Sequence, residues 1–298
     1  YSDIEAELTA RAYGADKAAY GARRFILGLG KKVLIANVLA ELVNAFKASG
    51  EKSTLFYWVY AAAYMLHVYF DFSGYSDMAI GLGSIFGFTF PENFNYPYIA
   101  ASITEFWRRW HMSLSSWFRD YVYIPLGGSR VKRPRALLNI AIVWMLTGLW
   151  HGADWNFVMW GIMFAALLIA EKTLLLGFIK KHRAIGHIYT LLFVMLCFIM
   201  FDASGVKEGF ETIAALFGAN AADNTEALYY LRSYAVPLTV AALGATPLPK
   251  RIKAKLEATR IGGAIMAIAE PVALAALLCL CTAYLIDGSF NPFLYFRF

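Results

Sequence analysis

The chain has 298 residues, a formal net charge of +6, 59% hydrophobic and only 16% charged residues, and a mean hydropathy of +0.52. A soluble chain is about 45–50% apolar and about 25% charged, so a water-soluble body is excluded, and so is disorder, which needs low hydrophobicity. With 23 Phe, 18 Tyr and 8 Trp, the composition predicts an integral membrane protein with aromatic residues in and at the edges of a bilayer.

Residues 1–24 are polar and helix-friendly and are predicted to lie at the surface. They lack the charged and apolar regions of a signal peptide, so the expectation is the C-terminal part of a longer chain, or a processed one. Phe25–Phe46 is apolar but interrupted by Lys31 and Lys32, which predicts an interfacial or tilted helix rather than a clean span. Leu55–Phe72 and Met78–Phe90 follow as separate apolar runs, divided by the polar knot Asp71-Phe-Ser-Gly-Tyr-Ser-Asp77. Pro91, Asn93, Asn95 and Pro97 mark a loop.

Ser102 and Glu105 have capping-box spacing, so a helix starts there. Ile103, Phe106, Trp107, Trp110, Leu114, Trp117 and Phe118 recur at the helical period, with Arg108, Arg109 and Arg119 off the stripe. One amphipathic helix over 102–119 is therefore predicted, lying on or dipping into the membrane from the cytoplasmic side. Its plain reading is an interfacial anchor. Its functional reading makes the three arginines a landing strip for an anionic donor such as a phosphopantetheine thioester.

Leu137–Trp150 and Phe157–Phe178 pair around a polar turn, and Ile188–Phe201, Tyr229–Leu243 and Ala264–Ile286 complete about eight apolar segments, several shorter than the roughly 20 residues of a full crossing. Cys197, Cys279 and Cys281 sit inside these runs and read as small core hydrophobes. Basic clusters lie at Arg130–Arg135, Lys180–Arg183 and Lys250–Lys255. They face the cytoplasm by the positive-inside tendency, which turns the acidic loop 202–228 outward. Nucleic-acid binding, the other reading of such clusters, lacks aromatic-basic interleaving on a soluble module.

Of five histidines, His182 and His187 sit at a basic loop and read as solvated or interfacial, and His67 reads as a helix-packing residue. His151, in Leu149-Trp-His-Gly-Ala-Asp-Trp155, is the sharper signal. From Leu137 a helix rises roughly 21 Å to His151, short of the about 30 Å hydrocarbon layer. Non-helical backbone at that depth is buried in protein or lines a watery cavity, and an ionisable group there is a functional-site hypothesis. A neutral imidazole in a dry cavity accepts a proton, here from a hydroxyl attacking an activated carbonyl. Asp154 is placed to orient the ring. The plain alternative is a structural histidine bonded to a carbonyl. Gly28-Leu-Gly30-Lys-Lys lacks P-loop spacing, and no Gly-x-Ser-x-Gly elbow, His-Glu-x-x-His or paired-cysteine site is present, so no metal is expected.

Tyr69–Ala79, Pro91–Asn95, Glu105-Phe-Trp-Arg-Arg-Trp-His-Met-Ser-Leu-Ser115, Trp117–Gly128, Leu149-Trp-His-Gly152 and Asn291–Phe298 together resemble the membrane-bound O-acyltransferase family. The Ile-Pro-Leu-Gly-Gly continuation favours its bacterial branch that O-acetylates polysaccharides such as alginate; the teichoic-acid D-alanyl transfer branch shares Trp-Arg-Arg-Trp-His. The resemblance implies an all-α, polytopic membrane helix bundle with interfacial and re-entrant helices around a tunnel. It implies that residues 1–298 are the C-terminal major part of one membrane domain preceded by further helices. It assigns His151 as the catalytic histidine and His111 as a second active-site polar position. The expectation is that His111 positions or polarises the thioester carbonyl, with Arg108, Arg109, Arg119, Asp154 and Trp150 for donor binding or orientation.

The activity implied by this resemblance is that of an acyltransferase of the bacterial inner membrane, moving an acyl group, acetyl first, from a cytoplasmic thioester (acetyl-CoA or an acyl carrier) toward an extracytoplasmic polysaccharide. No bound cofactor is expected. The expected partners are the lipid bilayer, the polysaccharide acceptor and an extracytoplasmic acetyltransferase or polysaccharide-modification protein. D-alanyl transfer to teichoic acid is the alternative within the class. A transporter or channel is the alternative outside it, but inverted repeats and paired broken helices are not visible.

Overall fold

The computed structural model describes residues 5, 7–8, 11–218 and 223–287; the terminal motif Asn291–Phe298 lies outside them. Every regular element among the described residues is helical, which makes this an all-α protein. Three helical stretches, Trp155–Lys181, Arg183–Asp202 and Arg260–Asp287, are long and apolar enough to cross a membrane. The chain divides into two units. One holds residues up to Leu42, Leu66–Asn93 and the chain from Tyr234; the other holds Val43–Met65 and Phe94–Ser233.

In the first unit, α1 (Ala15–Gly30) runs through a wide turn, Lys31–Ala36, into the first residues of α2 (Asn37–Ala48). Lys31 and Lys32 interrupt the apolar pattern but not the helical path. Lys32 is buried, with its ammonium 2.5 Å from Asp71, itself buried, and Lys31 lies 2.6 Å from Asp77. The same pairing overturns the division at Asp71–Asp77: helix α3 (Thr54–Ile85) passes straight through it. Read locally, the knot divides two apolar runs. Its carboxylates are paired with Lys31 and Lys32, so the helix carries them through the interior with their charges met. Arg24 adds bonds to Asp77 and Glu92. The α1 and α3 backbones touch because Gly28 faces Gly74; a Cβ on Gly28 would lie 2.6 Å from the Gly74 carbonyl oxygen. His67 packs as expected, its Nδ1 2.9 Å from the Ala36 carbonyl oxygen.

The last helices of this unit are the apolar α12 (Ala235–Gly244), the basic α13 (Leu248–Glu257) and the apolar α14 (Arg260–Asp287). The expected single segment Tyr229–Leu243 is therefore two pieces. It breaks at Tyr234 between α11 (Thr225–Ser233) and α12, leaving an apolar helix too short to cross alone. Glu270 of α14 receives Arg23 and Lys253, at 2.6 and 2.7 Å.

The second unit carries α4 (Ile103–Trp107), α5 (Met112–Phe118), α6 (Arg133–His151), α7 (Trp155–Ala170), α8 (Leu176–Lys181), α9 (Arg183–Asp202) and α10 (Val206–Ala215). Pro134 sits in the first turn of α6, where its missing N–H is no loss. The α7 helix passes through a wide turn, Glu171–Leu175, into α8, and the chain turns at His182 into α9. The unit's core is aromatic. Phe106, Trp107, Trp110, Trp160, Phe164 and Phe198 are all buried and meet mostly edge to face, as their quadrupoles prefer.

Candidate active site

The helix expected over 102–119 starts where it should. Ser102 Oγ accepts the Glu105 N–H at 3.0 Å, while Glu105 reaches back to the N–H of Ala101, one residue before the cap. The start is held from outside as well. Glu171, 1% exposed, accepts the Ile103 and Thr104 N–H groups at 2.5 and 3.0 Å and the Thr104 hydroxyl at 2.7 Å.

The helix does not run on to 119. It stops at Trp107 and resumes at Met112, and between them His111 takes φ 44°, ψ 55°, a left-handed conformation. The stripe is periodic across the break, so periodicity could not reveal it. The physical cause is a clamp: the Arg109 carbonyl accepts the Asn95 N–H at 2.9 Å, and the Arg109 guanidinium donates to the Asn95 carbonyl at 3.1 Å. Trp110 is drawn into ring contact with Phe94 and Phe198, at 5.1 and 5.3 Å. Histidine is among the few non-glycine residues enriched in this conformation, and strain of this kind collects at functional sites.

His151 is the last residue of α6. It is brought to the rest of the site by a tight α6–α7 hairpin, in which a Cβ on Gly148 would lie 2.5 Å from the Phe157 carbonyl oxygen and one on Gly161 2.3 Å from that of Trp144. The imidazole stands in a three-sided aromatic box, edge to face with Trp150 at 4.9 Å, Trp160 at 4.9 Å and Phe201 at 5.2 Å. Asn156 fixes the third wall, donating to the Phe201 and Ala203 carbonyls at 3.3 and 2.8 Å. Trp150 also reaches His111, ring centroids 6.1 Å apart.

The remaining predicted residues divide. Arg108 is exposed, with no hydrogen bond or ion pair among the described residues. Arg109 is engaged by Glu105 and the Asn95 carbonyl, and Arg119 pairs with its neighbour Asp120 at 2.7 Å. Asp154 is exposed at the start of α7 and its side chain caps nothing. Sequence reasoning missed Trp160, Phe201, Trp107, Asn156 and Glu171. For Trp160 a signal existed: small residues at 148 and 161 flank a short turn, which registers 151 against 160.

A buried His111 and a half-buried His151 gathered around indoles, in a chain with helices able to cross a bilayer, define an all-helical membrane protein. The model of the membrane-bound O-acyltransferase family matches residues 8–206, and the chain belongs to that family. It is 38% identical, over its whole length, to the probable alginate O-acetylase AlgI of Azotobacter vinelandii, covering 66% of that protein. It is 37% identical over 68% of its length to the peptidoglycan O-acetyltransferase of Helicobacter pylori, covering 39% of it. It is 40% identical over 37% of its length to the teichoic acid D-alanyltransferase of Bacillus subtilis, covering 30% of it. The chain thus spans two thirds or less of the length of these curated relatives.

Proposed function

We propose that this chain is an acyltransferase that moves an acyl group, acetyl first, from a cytoplasmic thioester to a hydroxyl of an extracytoplasmic polysaccharide. The observation that carries the reading is the enclosed His151 imidazole, with His111 against the same indole. His151 takes the proton of the attacking hydroxyl as its oxygen adds to the thioester carbonyl carbon. The carbon–sulfur bond then breaks, and the thiolate leaves with the proton that the imidazole took. His111 orients the carbonyl, and the exposed, unpaired Arg108 attracts the anionic donor, a role that the tied guanidinium of Arg109 is less free to play.

The names of the relatives support this choice of substrates: two are O-acetylating proteins of bacterial polymers. D-alanyl transfer is the second reading, supported by the Bacillus relative over a shorter stretch. The protein sits in the bacterial inner membrane as a multi-pass chain, beside an extracytoplasmic polysaccharide-modifying partner. Expressing His151→Ala in cells that make the polymer tests the reading. Polymer acetyl content should vanish while membrane insertion stays normal; unchanged acetylation overturns it, and D-alanine released from the polymer instead selects the second reading.

A further inference from the structure

The indole against His151 has an unused polar edge. Trp160 is 2% exposed, and its Nε1–H has no hydrogen-bond partner among the described residues. Trp107, 8% exposed and 5.8 Å from Trp160 ring to ring, carries a second buried Nε1–H in the same condition. An indole nitrogen only donates. Burying such a donor unpaired is costly, and native interiors pair the large majority of their buried polar atoms. Phenylalanine would fill most of either position at no such cost. Two such donors on neighbouring rings, one of them in contact with the half-buried His151 imidazole, point to an acceptor that folding does not supply.

The chemistry of the surroundings selects that acceptor. Phe164 and Phe201 lie 5.2 and 5.4 Å from Trp160, and neither indole carries charge. A full anion such as a phosphate would be left uncompensated there. A neutral carbonyl oxygen that gains negative charge only as it reacts is suited to it, because a preorganised donor in a dry setting acts most strongly on charge that develops.

We propose that the Trp160 Nε1–H, backed by that of Trp107, is the binding site for the carbonyl oxygen of the acyl thioester. This site rests on the acyl-transfer reading of the chain. When the hydroxyl oxygen adds to the carbonyl carbon, the carbon–oxygen π electrons move onto this oxygen and the indole N–H stabilises them. They return as the carbon–sulfur bond breaks.

The test uses the full chain in vesicles with a labelled acyl thioester and polysaccharide. Trp160→Phe keeps a ring and deletes the donor. Its kcat per folded molecule should fall by about 10²–10³-fold with KM little changed, and Trp107→Phe should show a smaller loss. A purely structural role would lower the folded fraction and leave kcat per folded molecule alone. A second measurement does not depend on turnover. Binding of a ketone analogue of acetyl-CoA, with a methylene in place of the thioester sulfur, should shift the indole N–H marker in the Raman spectrum of the wild type. Wild-type kcat in Trp160→Phe, or no Raman shift, overturns the proposal while acyl transfer by the wild type leaves the broader reading standing. A wild type that transfers no acyl group overturns both.

Discussion

His111 and His151 meet on one indole: Trp150 lies 6.1 Å from the first ring and 4.9 Å from the second. The first imidazole comes from a strained turn between two short helices, the second from the end of a long one. Trp150 is 49% exposed, so it contributes little to burial. Trp150→Ala should therefore lower transfer about tenfold, roughly 1.4 kcal/mol of barrier, with the thermal midpoint nearly unchanged. A rate equal to wild type would show that the shared ring has no part in the chemistry.

The α6–α7 hairpin depends on the absence of a side chain at 148. Gly148→Ala places a methyl group 2.5 Å from the Phe157 carbonyl oxygen, and overpacking of this kind costs about 1–3 kcal/mol. Since the hairpin registers His151 against Trp160, activity should fall together with the melting temperature of the detergent-extracted chain. Unchanged melting would mean that the two helices part without penalty.

Glu171 holds the start of α4 by three hydrogen bonds from a nearly fully buried position. Glu171→Ala leaves two N–H groups unpaired, at about 1–3 kcal/mol each, and should lower the melting temperature by several degrees. Glu171→Gln retains one acceptor oxygen and should cost less. Equal melting of the two variants would contradict this role for the carboxylate.

In the other unit, Lys32→Met strands the Asp71 carboxylate in the interior, a loss of about 3–5 kcal/mol. Adding Asp71→Leu should restore most of it. A double variant as unstable as the single one would show that the pair does more than neutralise itself.

Much of this architecture was legible in the residues. Composition alone placed the chain in a membrane, and the Ser102–Glu105 spacing located a helix start that the structure reproduces. The misreadings share a cause. The polar knot Asp71–Asp77 divides two apolar runs until Lys31 and Lys32 face it. The 102–119 stripe looks continuous until Asn95 clamps Arg109. Each is decided by a partner distant in sequence, which local periodicity cannot register. At the site, His151 stands out because an imidazole is costly in an apolar run, and His111 through the family resemblance of the segment Glu105–Ser115. Trp160 does not, because an indole is ordinary there and only tertiary packing leaves its N–H unpaired.

The most direct test of the central claim is chemical rescue at position 151. Vesicles bearing His151→Ala are given labelled acyl thioester and polysaccharide, with and without free imidazole. Transfer should fall by about 10²–10⁴-fold, the usual worth of a general base, and recover in part as imidazole is added. Full transfer without imidazole would show that this ring is not the base.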